Sequence, residues 1–296
     1  MATRNYMNII DISHWQNGIN LATLFQKNAD LDGVIVKATG GVGYVDPNCD
    51  GWVQWLKANG KPWGFYHFLD DDFRNSSGTR EADFFVSQTK NYFKHGIPFA
   101  DYEYPATYKG TAYLKEFLDR VYALTGVKCG VYCSLSIVQS QDFTAIHEAG
   151  YPLWMAQYPD YNPTGFQPNP WQRGSYAPYT QLMMQQYTSS GYIAGYGKRL
   201  DLNKFFGTIS DWNRYAQAEE QPTDLKPADP QIVMRVLKNE FGTNSNGRPD
   251  KLRAIGYDPT LVQAKVDELY NIADNFKKTL GANKDYAACI GKILGG

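Results

Sequence analysis

Eight short β-rich runs in the first two-thirds of this 296-residue chain, with none beyond, constrain its fold more than any other feature. They are Met7–Ile12, Gly33–Ala38, Trp63–Phe68, Ile97–Glu103, Lys128–Cys133, Leu153–Gln157, Leu182–Tyr187 and Arg199–Leu202. Most are rich in β-branched and aromatic residues and bounded by Gly, Pro, Asn or Asp. The first five are separated by segments long enough for a crossover helix. Cys49–Asn59 puts Trp52, Val53 and Leu56 on one helical face, and Thr111–Leu124 does the same with Leu114, Phe117, Leu118 and Val121. Repeated strand–helix–strand units predict a parallel sheet, and eight strands predict that it closes. The later intervals change character: residues 158–181 are Pro- and Asn-rich loop, and 188–198 a tight Gly-rich connection. The expectation is an α/β fold, an irregular TIM-like (β/α)5(β)3 barrel.

Downstream, Ala216–Ala228 is polar, Pro-containing and aperiodic, as a linker is. The pattern then becomes purely helical. Asp229-Pro230 and Asp258-Pro259 each place an N-cap acid before a first-turn proline. The first helix presents Ile232, Val233, Val236 and Leu237 and stops at Gly242; a short second runs through Leu252 to Gly256; the third carries Leu261, Val262, Val266 and Leu269. The expected organisation is a barrel over 1–212, a linker over 213–229 and a small all-α three-helix domain over 230–296. Three short helices form a marginal core and offer no cluster of catalytic groups, so this part is expected to bind rather than catalyse.

Charge and composition exclude several classes. Lys+Arg 29 against Asp+Glu 30 leaves a net charge of -1 with no basic stripe, which argues against nucleic acid. No apolar stretch approaches the roughly 20 residues of a membrane span. Met1–Tyr6 leads into a strand-like run without the features of a signal peptide, so the expected site of synthesis and storage is a cytoplasm. Cys49, Cys129, Cys133 and Cys289 form no C-x-x-C pair, and His14, His67, His95 and His147 have no metal-ligand spacing. Neither metal nor cofactor is expected, and reduced cysteines are the default. Aromatics make up 15% of the chain, which suits a sugar-binding cleft as well as ordinary packing.

Acids carry the chemistry. On the strand Ile97–Glu103, alternation puts Phe99, Asp101 and Glu103 on one face, with the two carboxylates about 6–7 Å apart at Cβ. Repulsion and burial raise the pKa of such a pair, and a carboxyl still protonated near neutral pH is what protonating a glycosidic oxygen requires. Asp-x-Glu alone is also an ordinary solvated strand end. Asp11, in Ile9-Ile10-Asp11-Ile12, and Asp201, in Leu200-Asp201-Leu202, interrupt apolar runs at the first and last strands; each alone reads equally as a capping acid. Barrel closure makes those strands neighbours, and the four acids then form a cup that is costly unless used. His67 either orients a carboxylate or is a satisfied core histidine. Lys37 either pairs with an acid of the cup or lies on the surface. Tyr66, Tyr132, Trp154, Tyr158 and Tyr187 lie in or beside strand C-termini, where some are expected to line a sugar cleft.

Over roughly Asn8–Gly207 the sequence resembles glycoside hydrolase family 25, the lysozymes of phages and bacteria. The matching pieces are Ile10-Asp11-Ile12-Ser13-His14-Trp15-Gln16, Lys37-Ala38-Thr39, Tyr44-Val45-Asp46-Pro47, Gly64-Phe65-Tyr66-His67-Phe68, Asp101-Tyr102-Glu103, Leu153-Trp154-Met155-Ala156, Gln186-Tyr187-Thr188-Ser189-Ser190-Gly191 and Leu200-Asp201-Leu202-Asn203. The resemblance implies a flattened five-plus-three barrel that hydrolyses the β-1,4 bond from N-acetylmuramic acid to N-acetylglucosamine in peptidoglycan. It implies Glu103 as general acid and Asp101 as second catalytic carboxylate, orienting the substrate's N-acetyl group as internal nucleophile, with Asp11 and Asp201 shaping the site. Two departures stand out. Gly40 follows Thr39 where the family often has Glu, which puts an auxiliary polar contact in doubt. Gln185 precedes Gln186-Tyr187-Thr188 where the family often has Trp, which puts an aromatic wall of the cleft in doubt.

The tail resembles the CW-seven type of cell-wall-binding repeat, through Val236-Leu237, Phe241-Gly242, Arg248, Leu252, Gly256-Tyr257-Asp258 and Val262–Leu269. Its usual Trp-Gly-Asn-Gly loop is altered to Phe241-Gly242-Thr243-Asn244. The implied ligand is the muropeptide of the wall, with Arg248, Tyr257 and Asp258 as binding residues, and Asp285–Gly296 reads as the start of a second repeat. Together the parts resemble an endolysin stored in a host cytoplasm until lysis. Two alternatives stay open: a chitinase-like glycosidase, which needs no wall-binding tail, and a non-catalytic glycan-binding protein, which needs no acid set.

Overall fold

Strand β1 (Met7–Ile12) is buried along its whole length, so both of its faces must be covered. Met7 and Ile9 pack inward with Ile35, Ile97, Phe99 and Phe205, whereas Ile10 and Ile12 belong to the layer beneath the outer helices. A strand buried on both faces is the signature of a parallel sheet covered by crossover helices. The computed structural model describes residues 4–71, 75–217, 226–242, 248, 251–252 and 255–280, and the chain divides into two units, Met1–Glu219 and Glu220–Gly296.

In the first unit β1 is followed by α1 (Leu21–Lys27), β2 (Leu31–Gly40), the short β3 (Tyr44–Val45), α2 (Cys49–Ala58), β4 (Trp63–Phe68), α3 (Gly78–Thr89), β5 (Ile97–Asp101), α4 (Gly110–Thr125), β6 (Gly130–Ser134), α5 (Leu135–Ser140), α6 (Thr144–Glu148), β7 (Leu153–Ala156), β8 (Met184–Gly191) and β9 (Leu200–Phe205). The sheet order is β1-β9-β8-β7-β6-β5-β4-β2, with β1 also paired to β2, so eight strands close and β3 hangs on the edge of β2. Helices follow each of the first five barrel strands and none follows β7 or β8, which is the expected (β/α)5(β)3 pattern.

The last strand departs from the parallel expectation: β9 runs antiparallel to both β8 and β1. Residues 192–199 are too few for a crossover, so the chain can only return alongside β8 as a hairpin. Strand ends also shift. β8 continues to Gly191, through part of the stretch expected to be a turn, and β5 stops at Asp101, short of Glu103. Helix α7 (Ile209–Ala216) carries the first unit past residue 212. It sets Trp212 and Ala216 under the barrel against Phe205, and Trp212 Nε1 donates to Trp63 O. Cys49, Cys129 and Cys133 are buried and free, and Cys289 lies outside the described residues.

The second unit is built on α8 (Pro230–Leu237) and α9 (Pro259–Leu280). Asp229 caps α8 through Ile232 N at 2.9 Å, and Asp258 caps α9 through Leu261 N at 3.3 Å. Ile232, Val233, Val236, Phe241, Leu252, Val262, Val266 and Leu269 form its core. Arg248, Lys251 and Leu252 are helical. The expected second helix does not reach Gly256, because Ile255 and Gly256 form a turn with Gly256 at φ +84°; residues 253–254, the Thr243-Asn244 loop and Asp285–Gly296 lie outside the described residues, as does 218–225 of the expected linker. The expected wall-binding side chains are engaged internally. Arg248 donates to Gly242 O (2.7 Å) and Gln263 Oε1 (3.3 Å), and Tyr257 donates to Asp229 Oδ2 (2.6 Å).

Candidate active site

The parallel strands all end at one rim of the barrel, and there the interior changes from apolar to polar. Ile9 is followed two residues on by Asp11, Ile35 by Lys37, and Phe99 by Asp101. A cavity of about 400 Å³ opens at this rim, lined among others by Asp11, Lys37, Tyr66, Asp101, Glu103, Tyr132, Trp154, Tyr158 and Asp201. Asp11 and Asp201 are direct partners in the antiparallel register of β1 and β9. Asp101 and Glu103 enter from β5. Although β5 ends at Asp101, Tyr102 N donates to Tyr132 O at 2.9 Å, one further rung beyond the strand. The chain therefore stays extended long enough to turn Glu103 into the cleft.

Asp11 is held by two amides. Gln186 Nε2 and Asn203 Nδ2 donate to its Oδ2 at 2.9 and 2.7 Å. Both amides are oriented from behind by groups that donate. The Trp154 indole N–H, which can only donate, reaches Asn203 Oδ1 at 2.8 Å. Gln186 Oε1 accepts from the hydroxyl of Tyr132 at 2.7 Å and from that of Tyr158. Burial pushes the Tyr132 and Tyr158 phenols well above their ordinary values, so they remain protonated donors. The amide N–H groups consequently face Asp11, and the direction of the whole network is fixed.

All four acids are shifted upward. Burial raises Asp11 to about 6 against the lowering effect of its two amide donors. Asp201 reaches about 8, through burial and the charges of Asp11 and Glu103. Burial and the nearby Glu103 charge lift Asp101 well above the usual carboxylate range, and its Oδ1 is buried with no hydrogen-bond partner. Burial also raises Glu103. That burial outweighs the lowering effect of the neighbouring Tyr132 hydroxyl. Asp101 and Glu103 therefore titrate as a pair, keeping a proton at a pH where isolated carboxyls have lost theirs.

Two expected cleft residues face elsewhere. Because Tyr66 points inward, His67 points outward, and it is fully buried. Its Nε2 meets Glu81 Oε2 at 3.0 Å, its Nδ1 meets Thr39 Oγ1 at 2.8 Å, and its ring stacks on Phe117. It is the core histidine of the two readings, tying β4 to α3. Likewise Gln186 points inward, so Tyr187 points out into the helical layer, where its hydroxyl accepts from Gln167 N. Lys37 does line the cleft, but its partner is Asp71, with Nζ 2.8 Å from Oδ2.

Sequence reasoning missed Asp71, Gln186, Asn203 and Trp15, all of which line the cleft or hold its acids. Trp15 is 76% exposed at the rim. Asp46 positions it by accepting from His14 N at 2.8 Å, while Tyr44 and Asp46 both bond the His14 ring.

Residues 10–196 match the family described as Glycosyl hydrolases family 25. The chain belongs to glycosyl hydrolase family 25. Among solved structures, the family 25 barrel is similar to a bacterial lysozyme from Streptomyces coelicolor, at 25% identity and a TM-score of 0.59, over 71% of this chain and 96% of that one. It is also similar to the catalytic domain of an endolysin from a bacteriophage of Listeria monocytogenes, at 23% identity and a TM-score of 0.55, over 74% and 100%. A shorter match joins it to lysozyme M1 of Streptomyces globisporus, 37% identical over 78 residues, 26% of this chain and 25% of that protein. The chain thus covers about a quarter of that relative's length.

The two departures from the family pattern resolve structurally. Gln185 lies between inward-facing Met184 and Gln186 and turns away from the cleft, where its Nε2 donates to Trp171 O at 2.8 Å. Its presence therefore removes no cleft wall. Gly40 leaves a space that the Asp71 side chain fills: a Cβ on residue 40 would lie 2.2 Å from Asp71 Oδ2.

Proposed function

We propose that this protein is a muramidase that hydrolyses the β-1,4 bond between N-acetylmuramic acid and N-acetylglucosamine in peptidoglycan, and that it serves as an endolysin. The observation that carries the enzymatic reading is the placement of Asp101 and Glu103 in one cleft with Asp11 and Asp201, all raised above the usual carboxylate range. Glu103 is the less buried member of the central pair and delivers its proton to the glycosidic oxygen as the bond to C1 breaks. Asp101, deeper and with an unpartnered oxygen, orients the N-acetyl group whose carbonyl oxygen attacks C1. Water then opens that intermediate with Glu103 as base. With the substrate supplying the nucleophile, the separation of the two carboxylates does not predict the stereochemical outcome.

Digestion of purified peptidoglycan followed by identification of the new reducing ends tests this reading. Muramic acid ends are expected. Glucosamine ends would reassign the bond, and the absence of new ends with the unaltered chain would remove the enzymatic reading.

The second unit is proposed to bind the cell wall through its muropeptide. Its support is the sequence likeness to a CW-seven repeat, joined to a compact helical core. In the endolysin reading the protein is held in a host cytoplasm and reaches the wall at lysis. A chain ending at residue 217 is expected to cleave soluble fragments as the full chain does, and to lose most of its co-sedimentation with intact walls. Undiminished co-sedimentation would take wall binding away from the second unit.

A further inference from the structure

Asp71 lines the cleft but stands outside the cup formed by Asp11, Asp101, Glu103 and Asp201. Three features converge on it. Gly40, at the end of β2, leaves room for the side chain, since a Cβ there would come within 2.2 Å of Asp71 Oδ2 and 2.7 Å of its Cβ. Lys37, on the same strand, holds Oδ2 at 2.8 Å. That ammonium is itself enclosed: Lys37 is 6% exposed, and Nζ lies 5.0 Å from the ring centre of Tyr44 and 4.8 Å from that of Phe68. The lysine is thus committed to the carboxylate, whereas the Asp71 side chain keeps 30% of its surface open and lines the cavity shared by Asp101 and Glu103.

A carboxylate clamped through one oxygen retains acceptor capacity on the other. Fixed in place on the wall of a sugar cleft, it is a preorganised acceptor for hydroxyl groups, and bonds to charged acceptors are the stronger kind. The clamp sets its position, and the aromatic cage keeps the ammonium from swinging to another acid. Resting on the glycan-cleaving reading above, we propose that Asp71, clamped by Lys37 in the space left by Gly40, is a sugar-hydroxyl-binding residue that positions the glycan in the cleft.

Steady-state kinetics on solubilised peptidoglycan fragments test this with the full chain, its Asp71→Asn and Asp71→Ala variants, and Gly40→Ala. The last leaves Asp71 intact but puts a Cβ where its carboxylate stands. KM is expected to rise roughly 10- to 100-fold in Asp71→Ala and in the same direction in Gly40→Ala, with kcat changed less than about threefold. A KM within twofold of the unaltered chain in both variants overturns the proposal, as does a fall in kcat at constant KM. Melting temperatures are taken for each. If Asp71→Ala or Gly40→Ala does not fold, the near-isosteric Asp71→Asn decides by the same criterion. Calorimetric binding of the fragments to Glu103→Gln, with and without Asp71→Asn, supplies a readout without turnover. A tenfold or greater loss of affinity is expected, and a loss under twofold overturns the proposal. An unaltered chain that binds fragments through Asp71 yet cleaves nothing would sink the enzymatic reading and leave this one standing.

Discussion

Replacing Glu103 with glutamine is expected to lower kcat by roughly 10³-fold while leaving fragment affinity and melting temperature close to those of the unaltered chain. The substitution keeps the shape of the side chain. What it removes is the transferable proton. The acids that line the cleft are the groups placed to supply that proton. Glu103 is the member of the central pair nearest the opening. Loss of activity with retained binding, measured on the same fragments, supports the assignment. A Glu103→Gln chain keeping a tenth or more of its kcat would move the acid role to Asp101. The pH profile adds a sign. Both groups are raised, so the protonated form of the pair persists above the ordinary carboxylate range. Activity that depends on it is lost as pH rises through the raised values, not as pH falls.

Much of this site can be read from sequence because strand alternation and barrel closure are simple geometric rules. Asp11 and Asp201 interrupt apolar runs on the first and last strands, and closure makes those strands neighbours; the register places them opposite one another. The same alternation, applied strictly, also separates Tyr66 from His67 and Gln186 from Tyr187. Counting aromatic residues near strand ends without asking which face they occupy is what put Tyr187 in the cleft, and the same question of face decides between the two readings of His67.

Other features leave no mark at the level of residue type. Gln186 and Asn203 matter through the direction of their amides, which only the Trp154, Tyr132 and Tyr158 donors define. Asp71 sits in Leu69-Asp70-Asp71-Asp72, a run that reads as a solvated turn; its place in the cleft depends on Gly40, distant in sequence and informative only once β2 and β4 are side by side. Thr39 shows a third kind of hidden feature. A bulge in β2 between Lys37 and Thr39 changes the pairing step against β4. Lys37 therefore lines the cleft while Thr39 meets His67 on the outer face, and simple alternation would have put both on one side.

The acids of the cleft also burden the fold, and Asp201→Asn is expected to stabilise the barrel at pH 8 and not at pH 4. Every cause acting on Asp201 raises it: burial, then the charges of Asp11 and Glu103, to about 8. Asp11 differs, because two amide donors oppose its burial. In the unfolded chain Asp201 titrates near the ordinary value of about 3.9. Between those values the folded state binds the proton more tightly than the unfolded state does. Stability therefore falls as pH rises from about 4 towards 8. Asparagine carries no such dependence, so its advantage grows over the same interval. Allowing for screening by water in an open cleft, the gain at pH 8 is on the order of 2 kcal/mol, or roughly 4–8 °C in melting temperature for a domain of this size. All seven tryptophans (Trp15, Trp52, Trp55, Trp63, Trp154, Trp171 and Trp212) lie in the first unit, so tryptophan fluorescence follows the barrel's melting alone. A gain of equal size at both pH values would show that Asp201 is not the group responsible. The counterpart is catalytic: a carboxylate that weakens the fold at working pH persists where it is used, so the stabilised variant is expected to cleave peptidoglycan at least tenfold more slowly. Stabilisation with full activity would strip Asp201 of its place in the acidic cup.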